Sequence, residues 1–222
     1  MKWTWRYWRS FFWEDIIETT RSHHNARLEV QYANGRMVLN AANVNLSFGS
    51  LDKVFRDAFK AIRLSERKLE HVLLLGLGAG NVPAILADQG RDCRIVGVEI
   101  DAEMIRLGRQ YFHLDAHTRL EVVCMDAVDY VRTHAGAAAR YDLVIVDLFI
   151  DETVPPGAET PEFLRGLADL LAPGGLLLYN RLMHTTALAE LSRAFTRKMQ
   201  EILPGTRAIR ADQNRILIYA HE

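Results

Sequence analysis

HVLLLGLGAGNVPAIL, residues 71–86, decides how this chain is read. His71–Leu75 is an apolar run of strand length, Gly76-Leu77-Gly78-Ala79-Gly80 is a glycine loop, and a short helix begins near Pro83. Strand, glycine loop and helix in that order let a backbone approach a ligand closely at a helix N-terminus. A tight strand-to-helix turn accounts for the same glycines, so the loop needs support from its neighbours.

That support comes from the rhythm of the chain on either side. Upstream, Leu51, Val54, Phe55, Ala58 and Ile62 recur at helical spacing behind a Ser50 cap. Downstream, Arg94–Ile100, Leu120–Met125, Tyr141–Leu148 and Leu176–Asn180 read as strands. Ala102–Phe112 and Val128–His134 read as helices, and Thr160-Pro161 opens another that Pro173-Gly174-Gly175 ends. Strands alternating with helices imply an α/β fold, a parallel sheet with helices on both faces. The end changes character. A helix over Thr186–Ile202 precedes Arg207–Ala211 and Arg215–Ala220, joined by Asp212-Gln213-Asn214, which predicts an antiparallel hairpin on the sheet edge. Before Ser50 the pattern is β-rich: Ile16–Thr20, then Ala26–Tyr32 and Arg36–Leu39 around Asn34-Gly35, a pair suited to a type I′ turn. The expected division is a β-rich piece over 1–49 and an α/β domain over 50–222.

An apolar fraction of 49% with 25% charged residues describes a chain that buries a sizeable core and excludes a disordered one. A net charge of −1 gives no global field for polyanions, so no nucleic-acid partner is expected. The longest apolar run is far short of a membrane span, and Met1–Trp13 lacks the uninterrupted stretch and cleavage site of a signal peptide. The expectation is a cytoplasmic protein without integral membrane association. Cys93 and Cys124 lie in apolar, strand-like stretches and read as reduced core residues. His23-His24 has no partner at ligand spacing and reads as a turn-exposed pair, so no metal site is expected.

Three acids follow three consecutive strands. Glu99 lies about twenty residues beyond the glycine loop, where a carboxylate can accept hydrogen bonds from both ribose hydroxyls of a nucleoside. Asp101 is more simply a helix cap. Asp126-Ala127 ends the third strand, where an acid can accept from an adenine amino group, and Asp147 ends the fourth. With Gly76, Gly78 and Gly80, these residues resemble the donor site of a class I S-adenosylmethionine-dependent methyltransferase. The resemblance implies a Rossmann-like, seven-stranded methyltransferase sheet with an antiparallel C-terminal hairpin. The loop lacks the third glycine of the dinucleotide fingerprint, which a ligand without pyrophosphate does not require.

Within that superfamily the runs VLLLGLGAGN, VGVEID, MDAVDYV and YDLVIVDLFIDETVPPGAETPEFLRGLADLLAPGGLLLY resemble spermidine synthase and its aminopropyltransferase relatives. The resemblance implies that Asp147 is the general base, that the donor is S-adenosylmethionine or its decarboxylated form, and that the acceptor is a small molecule such as an amine. The departures point away from polyamine synthesis. Ala79 stands where the family's loop carries an acid facing the donor's amino end. Ile150 stands where a second acid binds the diamine, with Asp151 one residue on, and the family's tyrosine–glutamate pair is at best Phe55 and Asp57. A dication needs carboxylates at both ends to offset its desolvation. The expected reaction is therefore alkyl transfer, of a methyl group, to an acceptor the sequence does not name. Aminopropyl transfer and a nucleoside-binding module without turnover are the alternatives. Asn180, after the fifth strand, is placed beside the acceptor pocket by topology alone.

All four tryptophans, with Tyr7, Phe11 and Phe12, fall within Met1–Trp13. Aromatic side chains bury on the order of 150–250 Å² each, more than a small hairpin can shelter, so a homodimer through this end is expected. Deleting Met1–Trp13 should convert a dimer to a monomer and leave donor binding intact, as light scattering coupled to size exclusion would show. A full-length chain running as a monomer at tens of micromolar would contradict it and leave the segment as a lid over the acceptor pocket, whose deletion impairs turnover instead.

Overall fold

In the computed structural model the chain is described over residues 10, 13, 15–41, 50–136, 141–150 and 152–221. Most of the aromatic segment, and Asp151, therefore lie outside the described residues. Three strands, β1 (Asp15–Thr20), β2 (Leu28–Ala33) and β3 (Arg36–Ala41), form a small antiparallel sheet in the order β1-β2-β3. Asn34 and Gly35 both take positive φ, 50° and 75°, as the type I′ turn requires. Ser10 clasps this turn: its carbonyl accepts from Asn34 N–H and its Oγ accepts from Gly35 N–H.

The remaining elements are α1 (Ser50–Ala61), β4 (His71–Leu75), α2 (Asn81–Asp88), β5 (Arg94–Glu99), α3 (Ala102–Tyr111), β6 (Leu120–Cys124), α4 (Ala127–His134), β7 (Tyr141–Val146), α5 (Pro161–Asp169), β8 (Leu171–Leu182), α6 (Thr186–Ile202), β9 (Arg207–Ala211) and β10 (Asn214–Ala220). Their strands make a seven-stranded sheet ordered β6-β5-β4-β7-β8-β10-β9. Neighbours from β6 through β8 run parallel, while β10 is antiparallel to both β8 and β9. Alternation along β4 sends Val72 and Leu74 to one face, against Phe55 and Ile85, and Leu73 and Leu75 to the other, against Leu167 and Phe195. Order reverses between β4 and β7. Their adjacent C-terminal ends open the crevice where doubly wound sheets bind ligands.

The small sheet packs on α3 rather than on the large sheet. Leu28, Val30 and Leu39 bury against Met104 and Leu107. Above that contact Arg106 pairs with Glu18 and Glu103, Tyr111 donates to Glu18 at 2.6 Å, and Thr20 donates to Glu103 at 2.8 Å.

Three local expectations need correction. Pro173-Gly174-Gly175 does not end a helix; α5 stops at Asp169 and these residues form an irregularity within β8, whose pairing jumps from Tyr141↔Leu171 to Leu143↔Leu176. Sheet pairing on both sides overrides the turn propensity of the residues. Cys93 is buried just before β5, but Cys124 is exposed at the end of β6 and is no core residue. The final hairpin turns on Asp212-Gln213 alone, with Asp212 at φ 52° and Asn214 already in β10.

The glycine loop is fixed by a close approach. A Cβ on Gly76, at φ +91°, would lie 2.1 Å from the Asp147 carbonyl oxygen, whereas one on Gly78, at φ +55°, would meet nothing within 4 Å. Gly76→Ala should therefore cost more than about 2 kcal/mol in urea unfolding, and Gly78→Ala only about 1 kcal/mol, the strain of the left-handed conformation alone. Equal losses would show that the approach of β4 to β7 relaxes freely.

Candidate functional site

A cavity of about 340 Å³ opens at the C-terminal ends of β4, β5 and β7. Gly76, Gly78, Glu99, Asp126, Ala127 and Asp147, all singled out from the sequence, line it together with Asn81, Asn180, Asn214 and the β1–β2 loop residues His24 and Asn25. Gly80 does not line it. At φ +97° its Cβ position falls 2.6 Å from Leu114, so this glycine serves packing behind the loop.

Glu99, at the end of β5, accepts from Gly78 N–H at 2.8 Å through Oε2 and from Asp101 N–H at 3.0 Å through Oε1. Burial pushes its carboxyl above the ordinary range, opposed by these two backbone donors. Three further loop amides are engaged within the protein. Gly76 and Leu77 donate to the Val98 carbonyl, and Gly80 donates to Leu77. The amide at the middle of the loop, Gly78, thus orients Glu99 rather than pointing at the cavity as an open donor.

Asp101 is 3% exposed and does more than the cap predicted for it. Oδ1 accepts from Glu103 N–H, while Oδ2 accepts from Ser22 Oγ at 2.5 Å and Asn25 Nδ2 at 2.8 Å. Ser22 Oγ in turn receives His24 and Asn25 N–H. The β1–β2 loop is therefore a wall of the cavity. His24 sits partly buried in that wall with the exposed His23 edge-on at 5.2 Å, so the pair is not simply turn-exposed. Among the described residues, no cluster of His, Cys, Asp and Glu could hold a metal ion.

Asp126 caps α4, its Oδ1 accepting from Val128 N–H at 2.6 Å and Asp129 N–H at 3.3 Å. The cap holds the carboxylate at the cavity rim, so capping and ligand contact are compatible. Asp147 follows β7 at the cavity floor. Asn180 Nδ2 donates to its Oδ1 at 2.8 Å, and Asn214 Nδ2 donates to Asn180 Oδ1 at 2.9 Å. Desolvation raises the Asp147 carboxyl to about 6; the Asn180 bond opposes that rise and the Glu99 charge adds to it. Asn180 therefore positions Asp147, a role that topology could place near the pocket but not assign.

The substitutions relative to the spermidine synthase pattern take definite positions. Ala79 does not face the cavity; it packs with Leu28, Val30, Met104 and Leu107, so it offers no evidence about the donor's tail. Phe55 is in the core and Asp57 pairs on the surface with Lys53, so neither lines the cavity. Ile150 does line it, 41% exposed, its backbone bridged to Thr153. At the rim His184 Nε2 lies 3.0 Å from Glu152 Oε1. Several polar lining residues escaped the sequence reading, Asn25, Asn81 and Asn214 among them; for Asn81 the available signal was a polar side chain opening the largely apolar helix NVPAIL.

Residues 72–175 match a family model described as a methyltransferase domain. The chain is 32% identical over 113 residues to a polyamine aminopropyltransferase of Vibrio vulnificus, covering 51% of this chain and 38% of that protein. It is 28% identical over 155 residues to the human eEF1A lysine and N-terminal methyltransferase, covering 66% of this chain and 22% of that protein. The chain thus spans well under half the length of these two relatives. A spermidine synthase solved with a transition-state analogue superimposes with a TM-score of 0.75 at 16% identity, covering 94% of this chain and 74% of that one. Human methyltransferase-like protein 13, solved with SAH, does so with 0.61 at 24% identity, covering 78% and 79%. A central sheet that ends in an antiparallel hairpin, a small antiparallel sheet before it and a matching methyltransferase region agree: the chain has a spermidine synthase-like, class I S-adenosylmethionine-dependent methyltransferase fold.

Proposed function

We propose that this protein is an alkyl transferase that takes S-adenosylmethionine as donor and passes its methyl group to a small nucleophile, such as an amine. One observation carries the reading: Asp147, set at a carboxyl near 6 and aimed by Asn180, shares a single cavity with the ribose-type carboxylate Glu99. The SAH bound by one structural neighbour and the analogue AdoDATO bound by another support a ligand of this kind on this fold.

The chemistry asks little covalent work of the protein. The acceptor's lone pair attacks the methyl carbon in line with the carbon–sulfur bond, that bond's electron pair goes to sulfur, and the sulfonium becomes a neutral thioether. The acceptor's proton passes to Asp147. Glu99 anchors the ribose and Asp126 with Ala127 borders the base, so the reacting carbon is held by contacts at the far end of the ligand. Orientation of this kind supplies much of the acceleration. A pKa near the working pH lets Asp147 accept a proton and release it again.

The acceptor side favours methyl over aminopropyl transfer. Ile150 presents an apolar side chain where the family pattern sets a second carboxylate for a diamine, and the other acid of that loop in the lining, Glu152, lies at the rim against His184. We further propose that the β-rich piece takes part in the site through its β1–β2 loop, His24 and Asn25, and that the protein works in the cytoplasm as a homodimer.

Incubation with methyl-labelled S-adenosylmethionine and a panel of amines should give labelled product, with kcat/KM rising through about pH 6 as Asp147 loses its proton and level above it. Productive turnover with the decarboxylated donor alone would restore aminopropyl transfer. Tight donor binding with no product from any acceptor would favour a binding module. Glu99→Ala should weaken the donor by about 1.5–3 kcal/mol in calorimetry, the scale of hydrogen bonds to a charged group.

Asp147 also bears on stability. Its folded pKa lies above the unfolded value of 3.8, so the folded state holds the extra proton, and stability falls as pH rises from about 4 to above 6. Asp147→Asn removes the ionisation and keeps an acceptor for Asn180. It should raise stability at pH 7 by ~1–3 kcal/mol, measured by urea unfolding, while lowering turnover by roughly 10²-fold or more. A destabilised variant would show that the charge is compensated in the fold.

A further inference from the structure

We propose that the acceptor is a monoamine with an apolar body, its single ammonium meeting Asp147 and its body lying against Leu148, Phe149 and Ile150. The inference rests on the reading of the cavity as a sulfonium-donor site and names the class of acceptor.

Strand order divides the cavity in two. Glu99 ends β5 and Asp126 follows β6, both on one side of β4. Asp147 follows β7, and Leu182 at the end of β8 pairs with Asn214 at the start of β10, all on the other side. A donor held by Glu99 and Asp126 leaves the half from β7 to β10 for the acceptor.

That half is walled by Leu51, Leu148, Phe149, Ile150, Pro155 and Leu182. Ile150 stands at its mouth, 41% exposed, on a turn tied by two backbone bonds to Thr153, at 2.9 and 3.0 Å. Contiguous apolar surface of this kind in a concave site marks the place of a ligand's apolar part. The polar groups at the floor are few and mostly engaged. Asn180 and Asn214 are committed to the chain that ends on Asp147 Oδ1, whereas Asp147 Oδ2 has no partner among the described residues and is not sealed from the cavity. At the rim Glu152 faces His184, with side chains 42% and 29% exposed.

One carboxylate under an apolar wall is the complement of one cation on an apolar stem. The ammonium is neutralised at Asp147, and the stem displaces water from the wall. A second ammonium on a short chain would be carried among apolar side chains and lose its hydration without a facing charge, or would stop at a rim acid already paired with His184. A lysine side chain offers the same ammonium and stem, but it ends in peptide groups for which the mouth at Ile150 has only apolar surface.

Calorimetry on the full chain saturated with S-adenosylhomocysteine, above the pH at which Asp147 titrates, tests this with isopentylamine, putrescine and Nα-acetyl-lysine methylamide. Isopentylamine should bind about tenfold or more tighter than either of the others. Ile150→Asp, at an exposed position that tolerates a polar side chain, should bring putrescine level with isopentylamine or ahead of it. Glu152→Gln should leave isopentylamine binding within about twofold, the scale of an exposed charge. Putrescine binding to the native chain as tightly as isopentylamine would overturn the proposal and return a diamine site. Tighter binding of the lysine derivative would overturn it in favour of a protein side chain as acceptor. An unchanged order in Ile150→Asp, or a loss of about tenfold or more in Glu152→Gln, would overturn it by moving the selection to the rim. A chain that binds S-adenosylhomocysteine but none of these amines would also overturn it. Failure to bind S-adenosylhomocysteine would defeat the donor reading itself, a separate result.

Discussion

A carboxylate brought out of water needs donors, and Glu99 obtains them from two backbone N–H groups, Gly78 in the glycine loop and Asp101 before α3. Much of the cavity follows from that arrangement. It turns the amide of Gly78 onto the end of β5 rather than leaving it open toward the cavity. It also fixes Asp101, whose own carboxylate reaches Ser22 and Asn25 and draws the β1–β2 loop over the ligand end of the sheet. The small sheet is therefore held by the cavity at one end and by the Arg106 cluster and the Met104–Leu107 contact at the other. Its contribution to the fold and its contribution to the site cannot be separated.

The opposite end of the cavity is fixed by a different device. Gly76 lies so close to the Asp147 carbonyl that β4 and β7 must meet without a side chain between them, which sets the floor of the cavity. Asp147 is then aimed by Asn180 from β8, itself aimed by Asn214 from β10. The antiparallel hairpin at the sheet edge thus bears on the chemistry through three side chains in series. Such a chain tolerates no half-satisfied member, because each amide is buried.

Much of this was legible in the sequence, and for physical reasons. Apolar runs of strand length, capping residues at Asp101, Asp126 and Thr160, and the Asn34-Gly35 turn act locally, so the α/β pattern and its terminal hairpin could be read directly. Pro173-Gly174-Gly175 misled because its conformation is set by strands on either side of β8, which are distant in sequence. Ala79 misled for a related reason. Successive positive φ values at Gly76, Gly78 and Gly80 turn the loop so that neighbouring residues face different ways, and spacing cannot say which one reaches the cavity. Asn81 stayed hidden because its place in the cavity lining is a property of three-dimensional packing. Asn180 carried only a topological hint, since its partner Asp147 is 33 residues away.

The two carboxylates that share the cavity are held differently, and the difference supports the roles proposed for them. Glu99 has each oxygen committed to a separate backbone donor, so its orientation is fixed and a proton on either oxygen would sacrifice a bond that shapes the loop. It is suited to holding a ligand still. Asp147 receives one side-chain donor, on Oδ1, and its ionisation lies near 6, so protonating Oδ2 leaves the Asn180 bond intact. It is suited to accepting a proton and giving it back. The Glu99 charge also makes ionisation of Asp147 harder. A cationic donor placed between them would relieve that repulsion and lower the Asp147 pKa. With a pKa of about 6 the carboxyl is already mostly ionised at neutral pH, so such a charge would hold Asp147 in its proton-accepting form rather than create that form.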